Sequence, residues 1–174
     1  QNLPVVICFN KQDIATPQEQ KALLDAYEKC GYRVMFISVT DHLGITEIED
    51  VLRGKTTVIA GPSGVGKSSL INLLHPQAQM ETGELSRKID RGKNTTRHSE
   101  LFCVDRIEGE QRTYIMDTPG FTSLYLKDVT TDHLRDFYPE FAEFEPECRF
   151  SGCSHITEPD CGVIRALEEN KIAR

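Results

Sequence analysis

The chain has 174 residues, 39% apolar and 27% charged, which is enough for one full core plus a small appendage and is ordinary for a folded globular protein. No stretch approaches the roughly 20 apolar residues that a membrane span needs, and the opening residues do not read as a signal peptide. A net charge of −7 argues against nucleic-acid binding by the surface at large.

Leu3 to Phe9 (LPVVICF) is a continuous apolar run rich in β-branched residues, which predicts a strand buried on both faces. Gln1 lies at the edge of that strand, so the chain reads as a piece of a longer protein. Thr16-Pro17-Gln18-Glu19 predicts a helix start, with Thr16 as cap, Pro17 at the first helical position and Glu19 completing a capping box. Leu23, Leu24 and Tyr27 then share one helical face, and Gly31 follows the last turn. Arg33 to Ser38 is a second strand candidate, followed by a short helix around Ile45 to Leu52. Thr56 to Ala60 is a third strand, leading through a glycine-rich turn into a helix from about Lys67 to Leu74.

Residues 76–99 are polar and lack periodicity, and a loop of that length is usually functional or mobile. Glu100 to Asp105 and Arg112 to Met116 read as a hairpin. Strands alternating with helices imply an α/β fold with a mostly parallel sheet, whose ligands sit beyond the carboxyl ends of the strands. Beyond Leu126 two short helical patterns flank a Cys/His cluster. The chain is therefore divided near residue 128, into 1–128 and a small, mainly helical extension over 129–174.

Gly61-Pro62-Ser63-Gly64-Val65-Gly66-Lys67-Ser68 satisfies the G-x-x-x-x-G-K-[ST] pattern, with a strand before it and an amphipathic helix after it. Glycines let the backbone curl until successive N–H groups point inward, and the helix amino terminus adds partial positive charge. Gly61, Ser63, Gly64, Val65, Gly66, Lys67, Ser68 and Ser69 are the candidate phosphate-binding residues, Lys67 reaching the β- and γ-phosphates and Ser68 ligating Mg²⁺. Asp117-Thr118-Pro119-Gly120 ends another apolar run. Asp117 is the candidate for a second Mg²⁺ contact, and Gly120 for a backbone N–H close to the γ-phosphate.

Asn10-Lys11-Gln12-Asp13 directly follows the first strand, and this N-K-x-D arrangement suits guanine. The Asp13 carboxylate can accept from N1–H and the 2-amino group, which adenine does not supply; such a mismatch discriminates by roughly 10⁴ or more. Lys11 lays its stem along the base, while Asn10 either braces the loop or meets the base edge. Ser38-Val39-Thr40, at the end of the second strand, is placed to offer a backbone N–H to the guanine oxygen.

Six cysteines are unevenly used. Cys8, Cys30 and Cys103 lie in or beside apolar runs, where cysteine behaves as a small hydrophobe. Cys148, Cys153, His155 and Cys161 fall within fourteen residues and make a Cys₃His set suited to a closed, structural Zn²⁺ site, with Gly152 and Gly162 allowing the turns. A metal site rather than disulfides fits a reducing, cytoplasmic setting. A basic run, Arg87, Lys88, Arg91, Lys93 and Arg97, is either a solvated loop or a face turned to phosphate, of a nucleotide or of RNA.

The order of the motifs is inverted relative to ordinary GTPases: N-K-Q-D and S-V-T precede G-P-S-G-V-G-K-S, then T-T, then D-T-P-G. In this the chain resembles the circularly permuted GTPases, and specifically the RsgA (YjeQ) family of ribosome small-subunit-dependent GTPases. The likeness runs over nearly the whole chain, through N-K-Q-D, G-P-S-G-V-G-K-S-S-L-I-N, R-G-K-N-T-T-R, D-T-P-G-F and C-x4-C-x-H-x5-C. It implies a circularly permuted P-loop GTPase fold with a zinc-binding carboxyl-terminal extension. It also implies GTP hydrolysis in late maturation of the small (30S) ribosomal subunit, stimulated by that particle. GTP or GDP, Mg²⁺ and Zn²⁺ would be the ligands, and the small subunit with its 16S rRNA the partner of a monomer. Family members also carry an amino-terminal OB-fold, and a strand and helix ahead of N-K-x-D, which this chain does not include.

Phe121 follows D-T-P-G where many GTPases have a water-orienting Gln. The family resemblance points instead to a His within R-G-K-H-T-T, where this chain has Asn94. Asn cannot act as a base near neutral pH, though its amide can hold a water; slower hydrolysis is expected, unless the position tolerates Asn or His98 substitutes. Thr95 or Thr96 supplies the switch hydroxyl to Mg²⁺, with Thr96 preferred. Lys67, Asn94 and Thr96 are thus the candidate catalytic residues. The alternative function is an RNA- or ribosome-binding zinc module with weak or vestigial nucleotide hydrolysis; an ATP-using P-loop enzyme is a further rival.

Overall fold

A computed structural model of the chain describes residues 3–80, 99–118 and 130–173. The chain falls into two compact units, Gln1–Phe36 with Tyr125–Arg174, and Ile37–Leu124.

In the first unit β1 (Val6–Phe9) and β2 (Arg33–Phe36) pair in parallel, Phe9 opposite Phe36. Parallel neighbours need a crossover, which α1 (Pro17–Lys29) provides. The capping box starts it: Glu19 N donates to Thr16 Oγ1 (3.3 Å) and Thr16 N donates to Glu19 Oε2 (2.8 Å). Gly31, at φ +79°, ends it. There Tyr32 N donates to Tyr27 O and Gly31 N to Glu28 O, so the last carbonyls are satisfied as the chain turns away. Phe9 stacks on Phe36 and meets Tyr27 of α1 at an angle, each pair 5.4 Å between centroids.

The expected strand from Leu3, buried on both faces, is corrected: β1 begins at Val6, and Leu3 and Val5 are 70% and 55% exposed. Cys8 is also exposed rather than buried as a small hydrophobe. An apolar run records what a strand can bury, whereas burial itself needs a covering layer on each face; α1 covers β1 through Tyr27.

The same unit carries the cysteine-rich extension. It consists of 3₁₀ turns over Thr131–Phe137, Pro139–Phe141 and Glu145–Glu147, then α4 (Gly162–Glu168). Its core is small: Cys153, Cys161, Val163, Ala166 and Ile172, with Phe141, Phe144, Cys148, Ile164 and Leu167 packed against them. Lys29 Nζ of α1 donates to Asn170 O at 2.7 Å.

The second unit holds α2 (Ile45–Leu52), β3 (Thr56–Ile59), α3 (Lys67–Leu74), β4 (Glu100–Cys103) and β5 (Tyr114–Asp117). The sheet order is β3-β5-β4, with β3 parallel and β4 antiparallel to β5, so the expected hairpin is formed. Ile45, Ile48 and Leu52 put one face of α2 inside, and α3 buries Ile71 and Leu74. Ile37, Phe102, Val104, Ile107 and Ile115 are the other buried apolar residues described in this unit. Ile59 lies opposite Asp117 in the register, so β3 and β5 end at the same sheet edge. The glycine-rich turn leaves from that edge and Asp117-Thr118 lie at it, as the fold class demands of a ligand site.

Candidate functional site

Beyond β3 the chain enters Gly61-Pro62-Ser63-Gly64-Val65-Gly66, and α3 starts at Lys67. Gly64 and Gly66 take φ of +80° and +100°, left-handed conformations that let the loop curl. Lys67 folds back along it: its Nζ donates to Gly61 O (2.7 Å) and Pro62 O (2.8 Å). Ser68 and Ser69 are half-buried in the first turn of α3, where unpaired helical N–H groups favour an anion. Asn72 of the same helix clamps the returning chain, donating from Nδ2 to Met80 O (2.8 Å) and accepting from Met80 N (2.7 Å).

At the end of β5, Thr118 Oγ1 donates to Ile59 O at 2.8 Å and ties D-T-P-G to the strand that feeds the loop. Asp117 Oδ1 is buried without a hydrogen-bond partner among the described residues. Burial pushes the Asp117 carboxyl above the ordinary aspartate range, while the Lys67 ammonium opposes the rise. A buried, unpaired carboxylate oxygen is costly, and a hard divalent cation with its water is the chemistry that would satisfy it. The residues present therefore fit Mg²⁺.

In the other unit, Asn10 Oδ1 accepts from Lys11 N at 2.8 Å, and Lys11 sits at φ +69° before a 3₁₀ turn over Gln12–Ile14. Gln20 of α1 holds this loop from behind, donating from Nε2 to Gln12 O (3.3 Å) and Ala15 O (3.2 Å). Lys11 and Asp13 are exposed, with their side chains open to a ligand. Ser38 belongs to the Ile37–Leu124 unit and is fully buried there; its N–H and C=O are both engaged by Leu43, and its hydroxyl accepts from Asp41 N at 3.1 Å. Its part in S-V-T is thus to shape the loop rather than to present its own N–H; Val39 and Thr40 follow within that loop. Asn94, Thr95, Thr96, His98, Gly120, Phe121 and the basic residues Arg87, Lys88, Arg91, Lys93 and Arg97 lie outside the described residues.

Cys148, Cys153, His155 and Cys161 converge, with their ligand atoms within 4.8 Å of one another. Cys148 Sγ is 3.8 Å from Cys161 Sγ, and His155 Nδ1 is 3.3 Å from Cys161 Sγ and 3.7 Å from Cys148 Sγ. Tetrahedral zinc, with Zn–S near 2.3 Å, holds two sulfurs about 3.8 Å apart, whereas a disulfide needs about 2.05 Å. The four residues fit zinc. Burial pushes the Cys153 thiol up to about 11. At Cys148 burial is outweighed by the backbone N–H groups of Val163 and Gly162, which hold the thiol below its ordinary range.

Glu158, which no spacing rule singled out, organises the loop that carries His155. Its carboxylate accepts from the backbone N–H of Ser154 (2.8 Å), Ile156 (3.0 Å) and Thr157 (3.1 Å) and from the Ser154 hydroxyl. Those donors lower its pKa to about 2. The two expected turn glycines differ. A Cβ on Gly162 would lie 2.2 Å from Phe144 O and 2.8 Å from Glu147 Cβ, whereas one on Gly152 meets nothing within 4 Å. Gly162→Ala is expected to destabilise the extension by roughly 1–3 kcal/mol through this overpacking, and Gly152→Ala to leave it unchanged. Thermal melts of the two variants check this, and equal melting points would remove the steric argument.

A family model described as RsgA GTPase matches residues 1–127. The chain belongs to the RsgA GTPase family. It is 57% identical over all 174 residues to the small ribosomal subunit biogenesis GTPase RsgA of Agathobacter rectalis, and 46% identical over 174 residues to that of Alkaliphilus metalliredigens. It spans 56% and 58% of those two relatives' lengths. Among solved structures, YjeQ from Thermotoga maritima matches with TM-score 0.73 and 32% identity, over 99% of this chain and 56% of that one. YloQ, described as a circularly permuted GTPase, matches with TM-score 0.68 and 33% identity, over 97% of this chain and 52% of that one. The fold of this chain is accordingly that of a circularly permuted GTPase, in which N-K-Q-D precedes the glycine-rich turn.

Proposed function

We propose that this chain is the GTP-binding and GTP-hydrolysing switch of a protein acting in late maturation of the small ribosomal subunit. The observation that carries this reading is the pairing of Lys67, folded along a glycine-rich loop, with the orphaned Asp117 oxygen at the same sheet edge. Residues 1–128 form the guanine-nucleotide domain and 129–174 the zinc-binding domain.

Asp13 reads the base, Lys11 lies along it and Asn10 braces the loop. Gly61, Ser63, Gly64, Val65 and Gly66 cradle the phosphates with Ser69, and Lys67 exchanges its loop carbonyls for β- and γ-oxygens. Ser68, Asp117 and Thr96 hold Mg²⁺, which neutralises charge on the phosphates when bound. Thr95 and Gly120 complete the γ-phosphate contacts, and Asn94 holds the attacking water. Zinc is held by Cys148, Cys153, His155 and Cys161 as a structural ion. The partner is the small subunit through its 16S rRNA, and the protein works as a cytoplasmic monomer; no described helix is long and apolar enough to cross a membrane.

The test is nucleotide selectivity and turnover of the protein with and without small subunits. Preference for GTP over ATP, and faster hydrolysis on adding subunits, are expected; equal competition by ATP would remove the guanine assignment. In the same assay Asn94→His is expected to raise single-turnover hydrolysis by about 10²-fold, the scale of a positioned general base. Equal rates would clear position 94 of any role in the slow step.

A further inference from the structure

We propose that Glu145 and Arg135 form the outer shell of the Cys148-Cys153-His155-Cys161 site, Glu145 by choosing which ring nitrogen His155 offers and Arg135 by holding Glu145 and the Cys153 carbonyl together. This rests on the reading of those four residues as a zinc site.

The imidazole of His155 is almost entirely enclosed, its side chain 3% exposed. The edge of its ring meets Phe141, 5.4 Å between centroids at 72°. One nitrogen, Nδ1, faces Cys161 Sγ and Cys148 Sγ; the other, Nε2, lies 3.2 Å from Glu145 Oε1. A neutral imidazole carries a single N–H, and an ionised carboxylate can only accept. The Glu145 carboxylate therefore places the proton on Nε2 and leaves the Nδ1 lone pair for the metal. His155 itself is at φ +58°, a conformation that a non-glycine residue holds only when its surroundings over-determine it.

Arg135 reaches the site from the 3₁₀ turn over Thr131–Phe137. Its Nη1 donates to Cys153 O at 3.0 Å, and its Nε lies 4.0 Å from the Glu145 oxygen that faces His155. A planar guanidinium can serve both partners at once, which a lysine ammonium at the end of a flexible stem does not reproduce. Metal retention and the placement of residues 131–137 are thereby linked. A cavity lined in part by Arg135, Glu145, Cys148, Phe150 and His155 adjoins the pair, so a shorter or apolar side chain at 145 can be accommodated.

The experiment uses the full chain loaded with zinc. The wild-type protein is first tested by metal analysis and by the absorption spectrum of its Co²⁺ form; lack of a tetrahedral thiolate signature would mean that the zinc reading has failed. Given that signature, long-range ¹H–¹⁵N correlation is expected to show His155 Nε2 protonated and Nδ1 metal-bound. The reverse assignment overturns the proposal whatever the variants do. Zinc release to a chromogenic chelator is then expected to be about 10–100-fold faster in Glu145→Leu. Glu145→Gln, which keeps an acceptor oxygen, should be intermediate, and Arg135→Lys should fail to restore the wild-type rate. Glu147→Gln removes a neighbouring charge that pairs with the exposed Arg165 and should release zinc as the wild type does. Wild-type release from Glu145→Leu, or equal acceleration by Glu147→Gln, overturns the proposal. If Glu145→Leu does not fold, Glu145→Gln and the tautomer measurement decide.

Discussion

Withdrawal of zinc by a strong chelator under reducing conditions is expected to melt residues 130–173 cooperatively. Among the described residues the extension has only a small core of its own. Its regular elements are short 3₁₀ turns and the seven-residue α4, all far below the length at which isolated helices persist. Of its five core residues, Cys153 and Cys161 belong to the Cys₃His set proposed to hold zinc. Cys161 also caps α4, its sulfur accepting from Ile164 N at 3.4 Å, so loss of the metal loosens the start of that helix as well. Structural zinc in small domains contributes about 10–16 kcal/mol near neutral pH, as much as the whole stability of a typical domain, about 5–15 kcal/mol. Because each ligand must be deprotonated to bind, acid should produce the same melting. Hydrogen exchange provides the readout. Protection should vanish over the extension and weaken at the carboxyl end of α1, where Lys29 donates to Asn170 O. Cys148→Ser should reproduce the effect without chelator. A metal-free extension that kept its protection would refute the account of its stability.

The second large effect concerns nucleotide. Lys67→Ala removes an ammonium that the loop already holds through two carbonyls, at 2.7 and 2.8 Å. Two hydrogen bonds to charged phosphate oxygens, at about 1.5–3 kcal/mol each, set the expected loss of GTP affinity at roughly 10²–10⁴-fold. Asp13→Ala is expected to act differently, because on the proposed reading it removes the acceptors for N1–H and the 2-amino group of guanine. The preference for GTP over ATP should fall by about 10⁴-fold, with the phosphate contribution retained. Titrations with fluorescent GTP and ATP analogues separate the two cases. Unchanged GTP binding by Lys67→Ala would mean that the glycine-rich turn is not the phosphate site; unchanged selectivity in Asp13→Ala would mean that the base is read elsewhere.

Much of this molecule was legible in its residues wherever the determining contacts are local. Thr16, Pro17 and Glu19 specify a helix start because a capping box closes within one turn, and the loop before Lys67 curls because Gly64 and Gly66 can adopt positive φ. Cys148, Cys153, His155 and Cys161 stand out by their chemistry and close spacing as a set that could hold a metal, and the permuted motif order points to the family. What the residues could not supply is partnership over distance. No pattern marks Glu145 as the acceptor for His155, Arg135 as the bridge to Cys153, Asn72 as the clamp on Met80 or Glu158 as the brace of a loop. Each becomes visible only when the folded chain brings the partners together. The same reason explains corrections of detail: β1 looked doubly buried from its composition, and Gly152 looked equivalent to Gly162. Backbone conformation depends on neighbours along the chain, so spacing can encode it; burial and the fit of one atom against another depend on where remote segments return, which no local spacing encodes.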